Sequence, residues 1–553
     1  MIKSQGASRA LPFAIIGLFA VPVLVGLWGT VDLAMSHPEG GLQAFVMLLQ
    51  WRGLPGAMHL SIWPGLAATL VSLGLTLLLL ALFAGSGAFT VLRRLLSPLL
   101  AVPHAAAALG LVFVIAPSGW IVRALSPWAT GWQVPPDLLI VNDPWGMSLT
   151  LGLIAKELPF LLLMSLAFWP QLDAPRRMTL MASLGHGRAM GFAIAVLPPL
   201  YARLRLPIFA VFAYAMTSVE MGKILGPNLP PPLSVQITQW LTDPSLTARP
   251  IGAAGALLQL ALVLAALALW RLGETLLEYG SCRIAATGLR GCRADRPLSF
   301  VTLGCTAVIL GLTFAGLLSL AVWSVAGLWP FTTALPETYS FTVWSKAALD
   351  LAQSTLITAT VGAAVAVIAT MLALVLLQNK GSNRLGLIYL PLILPQVAFL
   401  PGLSIGFLAL GLKDGPLAVG MMHLIFVLPY VTLSLSPPYH ALDPRYALTA
   451  SVLGASSARI FWRIRLPLLL APLLTALAVG FAVSVAQYLP TLLAGGGRVE
   501  TLTTEAVALS SGGNRRLTGA YGFLQLMLPA CAFGLAIAVP KLVFRNRAAL
   551  RGL

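Results

Sequence analysis

Ala182-Ser183-Leu184-Gly185, followed by Leu197-Pro198, returns 269 residues later as Ser451-Val452-Leu453-Gly454, followed by Leu466-Pro467. In both copies the glycine precedes the proline by 13 residues. Upstream lies an aspartate, Asp173 or Asp443, itself 14 residues beyond the proline of Leu158-Pro159-Phe160 or Leu428-Pro429-Tyr430. Apolar packing alone would not require this spacing, so the chain is a duplicated module. Each copy is basic and falls between two long apolar runs. It therefore reads as a loop joining two membrane helices, and function is expected to hang on it.

Composition sets the surroundings of the loops. With 58% hydrophobic and only 9% charged residues in 553, no water-soluble arrangement of core and surface can be assembled. Runs of about 20 apolar residues, enough to cross a bilayer as helix, recur along the chain. Twelve spans are expected, at 11–33, 62–92, 95–117, 147–170, 206–222, 252–270, 300–325, 350–378, 386–411, 416–438, 468–493 and 519–540. The fold class is thus an all-α polytopic membrane protein of about twelve transmembrane helices, built as two parallel six-helix repeats. The expected organisation is 1–270 as the first membrane domain, 271–299 as a polar linker and 300–553 as the second membrane domain.

A net charge of +17 could suggest nucleic acid, but the distribution of that charge excludes it. Counted from a cytoplasmic N-terminus carrying Lys3 and Arg9, the inside segments hold 24 Lys and Arg and the outside segments 9, with Lys156 inside a span. This positive-inside bias puts both repeated loops and both termini in the cytoplasm. The first apolar run is too long and too poorly terminated for a cleaved signal peptide and is expected to stay as a helix. Cys305 and Cys531 fall in spans, Cys282 and Cys292 in the linker, and no disulfide frame follows. The six histidines lack ligand spacing, so no metal site is expected.

Pro103-His104 has a loose counterpart in Pro395-Gln396, at an offset of 292 instead of 269. The difference of 23 equals the excess of the outside loop Ser118–Trp145 over its counterpart Leu412–Pro416. That long loop is either a docking surface or a variable connector. Within the spans, Lys156 and Glu157 are adjacent and point in different directions, so they do not simply neutralise one another. Lys156, Glu157, Glu220 and Gln487 are candidates for a translocation path or for pairing within the bundle, for instance Lys156 with Glu220.

In the repeated loop, Asp173-Ala174-Pro175 and Asp443-Pro444 are helix-start signals, an N-cap acid before a proline tolerated in the first turn. A short helix is expected up to Gly185 or Gly454, where glycine lets the chain turn. A second short segment carries Phe192, or Phe461 and Trp462, to the Leu-Pro pair. The product is a compact knob beneath the bilayer.

The pattern Asp-x10–11-Gly-x12-Pro, written here as ASLGHGRAMGFAIAVLPPL and SVLGASSARIFWRIRLPLL, resembles the "EAA" loop of ATP-binding-cassette importer permeases. The resemblance covers essentially the whole chain as two fused permease domains, closest to the binding-protein-dependent group with the ferric iron, thiamine and YnjC-type permeases. It implies that Ala182, Ser183, Leu184, Gly185, Leu197, Pro198, Ser451, Val452, Leu453, Gly454, Leu466 and Pro467 couple to two copies of a cytoplasmic ATPase, and that a periplasmic binding protein delivers the solute. The family's glutamate, six residues before the glycine, is Thr179 or Leu448 here, and the alanine after it is Leu180 or Thr449. No Gly-x-x-x-x-Gly-Lys-Ser/Thr occurs, so ATP and magnesium are expected on the partner, with no catalysis and no cofactor on this chain. The implied location is the bacterial inner membrane. A twelve-helix secondary transporter driven by an ion gradient is the rival reading, but its charged loop would usually join spans two and three, where only Arg93-Arg94 stand. A membrane-embedded enzyme would need converging ionisable groups that the spans lack.

Overall fold

The computed structural model describes residues 4–286, 291, 295–378, 385–412 and 414–545. Lys3, the side chain of Arg9 and those of Cys282 and Cys292 lie outside the described residues. The chain is an all-α polytopic membrane protein, and among the described residues the only β pairing is an isolated bridge between Ala326 and Tyr339. Eight helices are long and apolar enough to cross a membrane: Leu54–Phe83, His104–Leu125, Met147–Leu172, Ala248–Tyr279, Asp295–Ser324, Ala348–Gln378, Pro416–His440 and Arg515–Val543. Three further helix pairs are apolar and long enough only when taken together and are bent by 69°, 112° and 75°, Arg188–Ala195 with Leu197–Thr217, Leu387–Ile393 with Gln396–Ala409, and Ser457–Leu468 with Leu470–Ala486. The apolar stretch Phe19–Met35 of the first helix, Ser4–Met35, completes the series. Each of the twelve expected stretches overlaps helix, with 62–92, 95–117, 206–222, 386–411 and 468–493 interrupted inside their bounds.

The departures from the expected boundaries have local causes. The second helix stops at Phe83 because Gly85 turns the chain at φ +85°, and Arg93 and Arg94 ride on a separate short helix, Gly87–Leu96. The third span breaks in both halves at the expected proline pair. Pro103 and Pro395 are extended residues, and helices begin after them at His104 and Gln396. The fifth span breaks in both halves too, at Ser218 and at Gln487, which lie 269 residues apart. Each of these residues is extended, with a short helix following, Val219–Leu225 or Leu489–Gly495.

The stretch 271–286, expected as part of a linker, continues the helix Ala248–Ala286. A charged cluster holds it. Glu274 is buried and accepts hydrogen bonds from Tyr201 Oη at 2.8 Å, Arg205 Nε at 3.0 Å and Arg271 Nη1 at 2.5 Å. A carboxylate shared by two guanidiniums and a phenol is well compensated, so the helix can run on past its apolar part.

The two sequence halves exchange helices. Ser4–Met35 packs along Gln396–Ala409 of the second half, and Asp295–Ser324 packs along His104–Ile115 of the first. The halves are therefore interlocked through four helices, and the core is continuous between them.

Candidate functional site: two exposed turns and a buried polar cluster

The repeated motif folds alike in both places. The first copy is a helix Ala174–Ser183, a turn, and a helix Arg188–Ala195. The second is Pro444–Val452, a turn, and Ser457–Ile460 running into a wider helical turn at Phe461–Arg465. At each turn the backbone closes the same pair of bonds. Gly185 N–H donates to Ala182 O at 3.0 Å and His186 N–H to Met181 O at 3.1 Å. Gly454 N–H donates to Ser451 O at 3.0 Å and Ala455 N–H to Ala450 O at 2.9 Å. This is a Schellman ending, whose first residue past the helix must be left-handed. Gly185 and Gly454 both have φ +79°. Glycine at this point of the repeat is thus a backbone requirement.

The tip of each knob faces solvent. Ser183, Leu184 and Gly185 are exposed, as are Ser451, Val452, Leu453 and Gly454, with Val452 86% and Leu453 81% exposed. Leu184, Val452 and Leu453 thus put apolar side chains on the exposed tips. Thr179 and Leu448, which stand where the family has its acid, are exposed on the same helices. Thr179 Oγ1 is turned back to Pro175 O at 3.0 Å. Leu197-Pro198 and Leu466-Pro467 lie at the starts of the helices that follow, with proline in the first turn.

The helix-start aspartates behave differently. Asp443 Oδ1 accepts from Arg445 N–H at 2.9 Å, as expected of an N-cap. Asp173 makes no capping bond, because φ +48° turns its carboxylate away from the first turn, and it stands 3.9 Å from Arg176 on the surface. The second helix of the first knob is capped from the other half. Asp295 accepts from Arg188 N–H at 2.5 Å and from Ala189 N–H at 3.1 Å. Arg188 Nη1 reaches the Leu82 carbonyl at 2.7 Å, and Phe192 is buried against Trp169.

Deep in the bundle, Lys156, Glu157, Glu220 and Gln487 are all buried. The expected Lys156–Glu220 pair does not form. Lys156 Nζ donates instead to Leu99 O at 2.9 Å and Val102 O at 2.5 Å, carbonyls at the break before Pro103. Glu220 Oε1 accepts from Tyr214 Oη at 2.7 Å, and Ser218 Oγ donates to the same phenol at 3.1 Å. The His104 ring lies 4.6 Å from that of Tyr214. Lys223 reaches across to the second half, 3.4 Å from Tyr488 Oη. Glu157 lies within electrostatic reach of Tyr214 and Tyr430. The breaks at Ser218 and Gln487 thus help gather carboxylates, phenols and an ammonium where the halves face each other. Sequence reading missed Tyr214, Lys223, Tyr488 and Asp295. The one available signal was that Ser218 and Gln487 share the offset of the repeat.

Residues 384–545 match the family described as the inner-membrane component of binding-protein-dependent transport systems. Over 453 residues, 82% of each chain, the protein is 34% identical to the inner membrane ABC transporter permease protein YnjC of Escherichia coli. It is 30% identical to the molybdenum transport system permease protein ModB of Mycobacterium tuberculosis, over 34% of this chain and 75% of that one. It is 27% identical to the spermidine/putrescine transport system permease protein PotC of Haemophilus influenzae, over 21% of this chain and 46% of that one.

Proposed function

The chain belongs to the permeases of binding-protein-dependent ATP-binding-cassette importers, and on that premise we propose that it supplies both membrane halves of one importer, driven through its two loop turns. Two copies of an ATPase would hold ATP and magnesium in the cytoplasm, each seating one turn. A periplasmic binding protein would deliver the solute to the opposite face of the bacterial inner membrane. The observation that carries this reading is the pair of exposed, apolar-tipped turns with the same left-handed glycine, repeated where the family places its coupling loop.

Closure of the ATPases would move the turns together. The first turn is tied to the start of the helix Asp295–Ser324 by the Asp295 bonds, so its motion reaches both halves. Each loop also leads directly into a fifth helix that breaks at Ser218 or Gln487, beside the buried polar cluster. Displacement of those helices would open a path through the cluster to one side and then the other, with Glu157, Glu220 and Gln487 in contact with the passing solute. Relatives named for molybdenum and for spermidine/putrescine differ in the charge of what they move, so family membership names no solute here.

Gly454→Trp and Gly185→Trp test the turns. A non-glycine residue at this φ costs about 1–2 kcal/mol locally, and the indole blocks a groove. Both variants should reach the membrane at wild-type levels, yet a tagged chain purified from its native host should lose co-purifying ATPase and its nucleotide hydrolysis. The double variant should lose more than either single one. Normal association and hydrolysis in both would remove the coupling role.

A further inference from the structure

On the face opposite the loops, three segments remote in sequence meet around Arg123, Arg515 and Arg516. Arg123 is buried, and its Nε donates to Ser118 O at 3.0 Å while Nη1 donates to Trp329 O at 3.1 Å and Pro330 O at 2.7 Å. Arg515 donates through Nη1 to the same Ser118 carbonyl at 2.8 Å and through Nη2 to Ser118 Oγ at 2.6 Å. Arg516 Nη2 donates to the Gly327 carbonyl. The guanidinium carbons of Arg123 and Arg515 lie 5.4 and 5.3 Å from the ring of Trp323, and Arg123 is also 5.1 Å from that of Trp329.

Every one of these partners is neutral. Among the described residues no aspartate or glutamate forms an ion pair with any of the three arginines. A guanidinium offers five N–H groups, so several donors remain on each. Two like charges held against one indole repel, and carbonyls offset that repulsion only in part. The pocket they line measures about 580 Å³ and includes Ser118, Trp323, Gly512, Gly513 and Asn514. The long helix Arg515–Val543 starts at its edge, adding the positive end of its dipole.

We propose that this pocket is a binding site for a phosphate-type oxyanion, held by Arg123 and Arg515 with Trp323 packed against both. Its volume is many times the roughly 30 Å³ of a water molecule, so the anionic group can belong to a larger molecule. A soluble anion and a lipid headgroup offer the same chemistry to this site. The assignment does not rest on coupling to an ATPase, and it can fail or hold separately.

The test uses the full chain in dodecyl maltoside, titrated with inorganic phosphate at ionic strength held constant with chloride. Tryptophan fluorescence reports the site, and Trp323→Phe assigns the signal. A saturable change is expected, weakened roughly tenfold or more in Arg515→Gln, as for loss of a charge-assisted fork. Arg515→Lys keeps the charge without the fork and should fall between, while thermal melting of each variant confirms folding. With phosphatidylglycerol added, a rightward shift assigns a lipid headgroup as the occupant, and an unchanged curve assigns a soluble anion. Absence of a saturable signal in wild type, or an Arg515→Gln curve that matches wild type, would overturn the site.

Discussion

Lys156 is the residue where sequence and structure part most instructively. An ammonium within a membrane helix costs about 2.5–3.5 kcal/mol on insertion scales, so such a residue invites a functional reading. Here it has a structural task. Pro103 has no N–H to offer the Leu99 carbonyl four residues before it, which keeps only a long 3.3 Å bond from Val102 N–H. Val102 is extended, and its own carbonyl is left for a side-chain donor. Lys156 donates to both. In the second half the residue three before the proline of Leu428-Pro429-Tyr430, where Lys156 stands before Pro159, is Phe426, which packs 5.8 Å from Phe399 and carries no charge. Lys156→Met would leave the buried Val102 carbonyl unpaired at about 1–3 kcal/mol and the Leu99 carbonyl with its Val102 N–H bond alone, only partly offset by removing the charge. It should therefore lower the melting temperature of the purified chain, and Lys156→Arg, which can still donate, should lose less. A path residue would show the opposite pattern, with normal melting and altered nucleotide hydrolysis.

At the scale of elements, the two knobs look alike and are held differently. The second is self-contained, with Asp443 capping its first helix and Ser456 accepting from Arg459 N–H at 3.4 Å in its second. The first takes its cap from Asp295, 107 residues further along the chain. Asp295→Ala should cost about 1 kcal/mol in the helix Arg188–Ala195, the usual loss of an N-cap. Hydrogen exchange should speed up in a peptide covering 188–195 and stay unchanged over 444–468, and Asp295→Asn should recover most of the protection. What could be read beforehand follows the same division. The repeat, the glycine turns, the Asp443 cap and the places of the membrane helices are local patterns, and local patterns are legible. The breaks at Ser218 and Gln487 were hidden because the apolar run continues through them into Val219–Leu225 and Leu489–Gly495. The Asp295 cap and the Lys156–carbonyl bonds join residues far apart in sequence, and no periodicity reports such contacts. The helical continuation to Ala286 was missed for that reason too, since it depends on Arg205 and Tyr201 from another helix.

At the scale of the molecule, the halves are locked by two crossings built on one plan. A Cβ on Gly110 would stand 2.7 Å from the backbone of Gly316, and one on Gly402 would stand 2.1 Å from the carbonyl oxygen of Gly26. Backbones can approach this closely only where neither residue has a side chain, the usual device for joining helices in lipid. A hydroxyl marks each crossing. Thr30 Oγ1 accepts from Gly402 N–H at 3.2 Å, and Ser319 Oγ donates to Gly110 O at 3.3 Å. Because the first helix of each half is clasped by the third helix of the other, neither half can move as an independent body. Any motion that opens a path between the halves must pivot about these crossings or slide along them. Gly402→Ala and Gly110→Ala should therefore each destabilise by about 1–3 kcal/mol, the usual cost of overpacking, although each adds only a methyl group. Gly406→Ala, one turn beyond the second crossing, is the matched control, since its Cβ would meet Val25 at an ordinary 3.6 Å. Thermal melting of the three purified variants checks the expectation. If Gly402→Ala melts with Gly406→Ala, the helices have slack at the crossing, and the halves are free to rock without a fixed pivot.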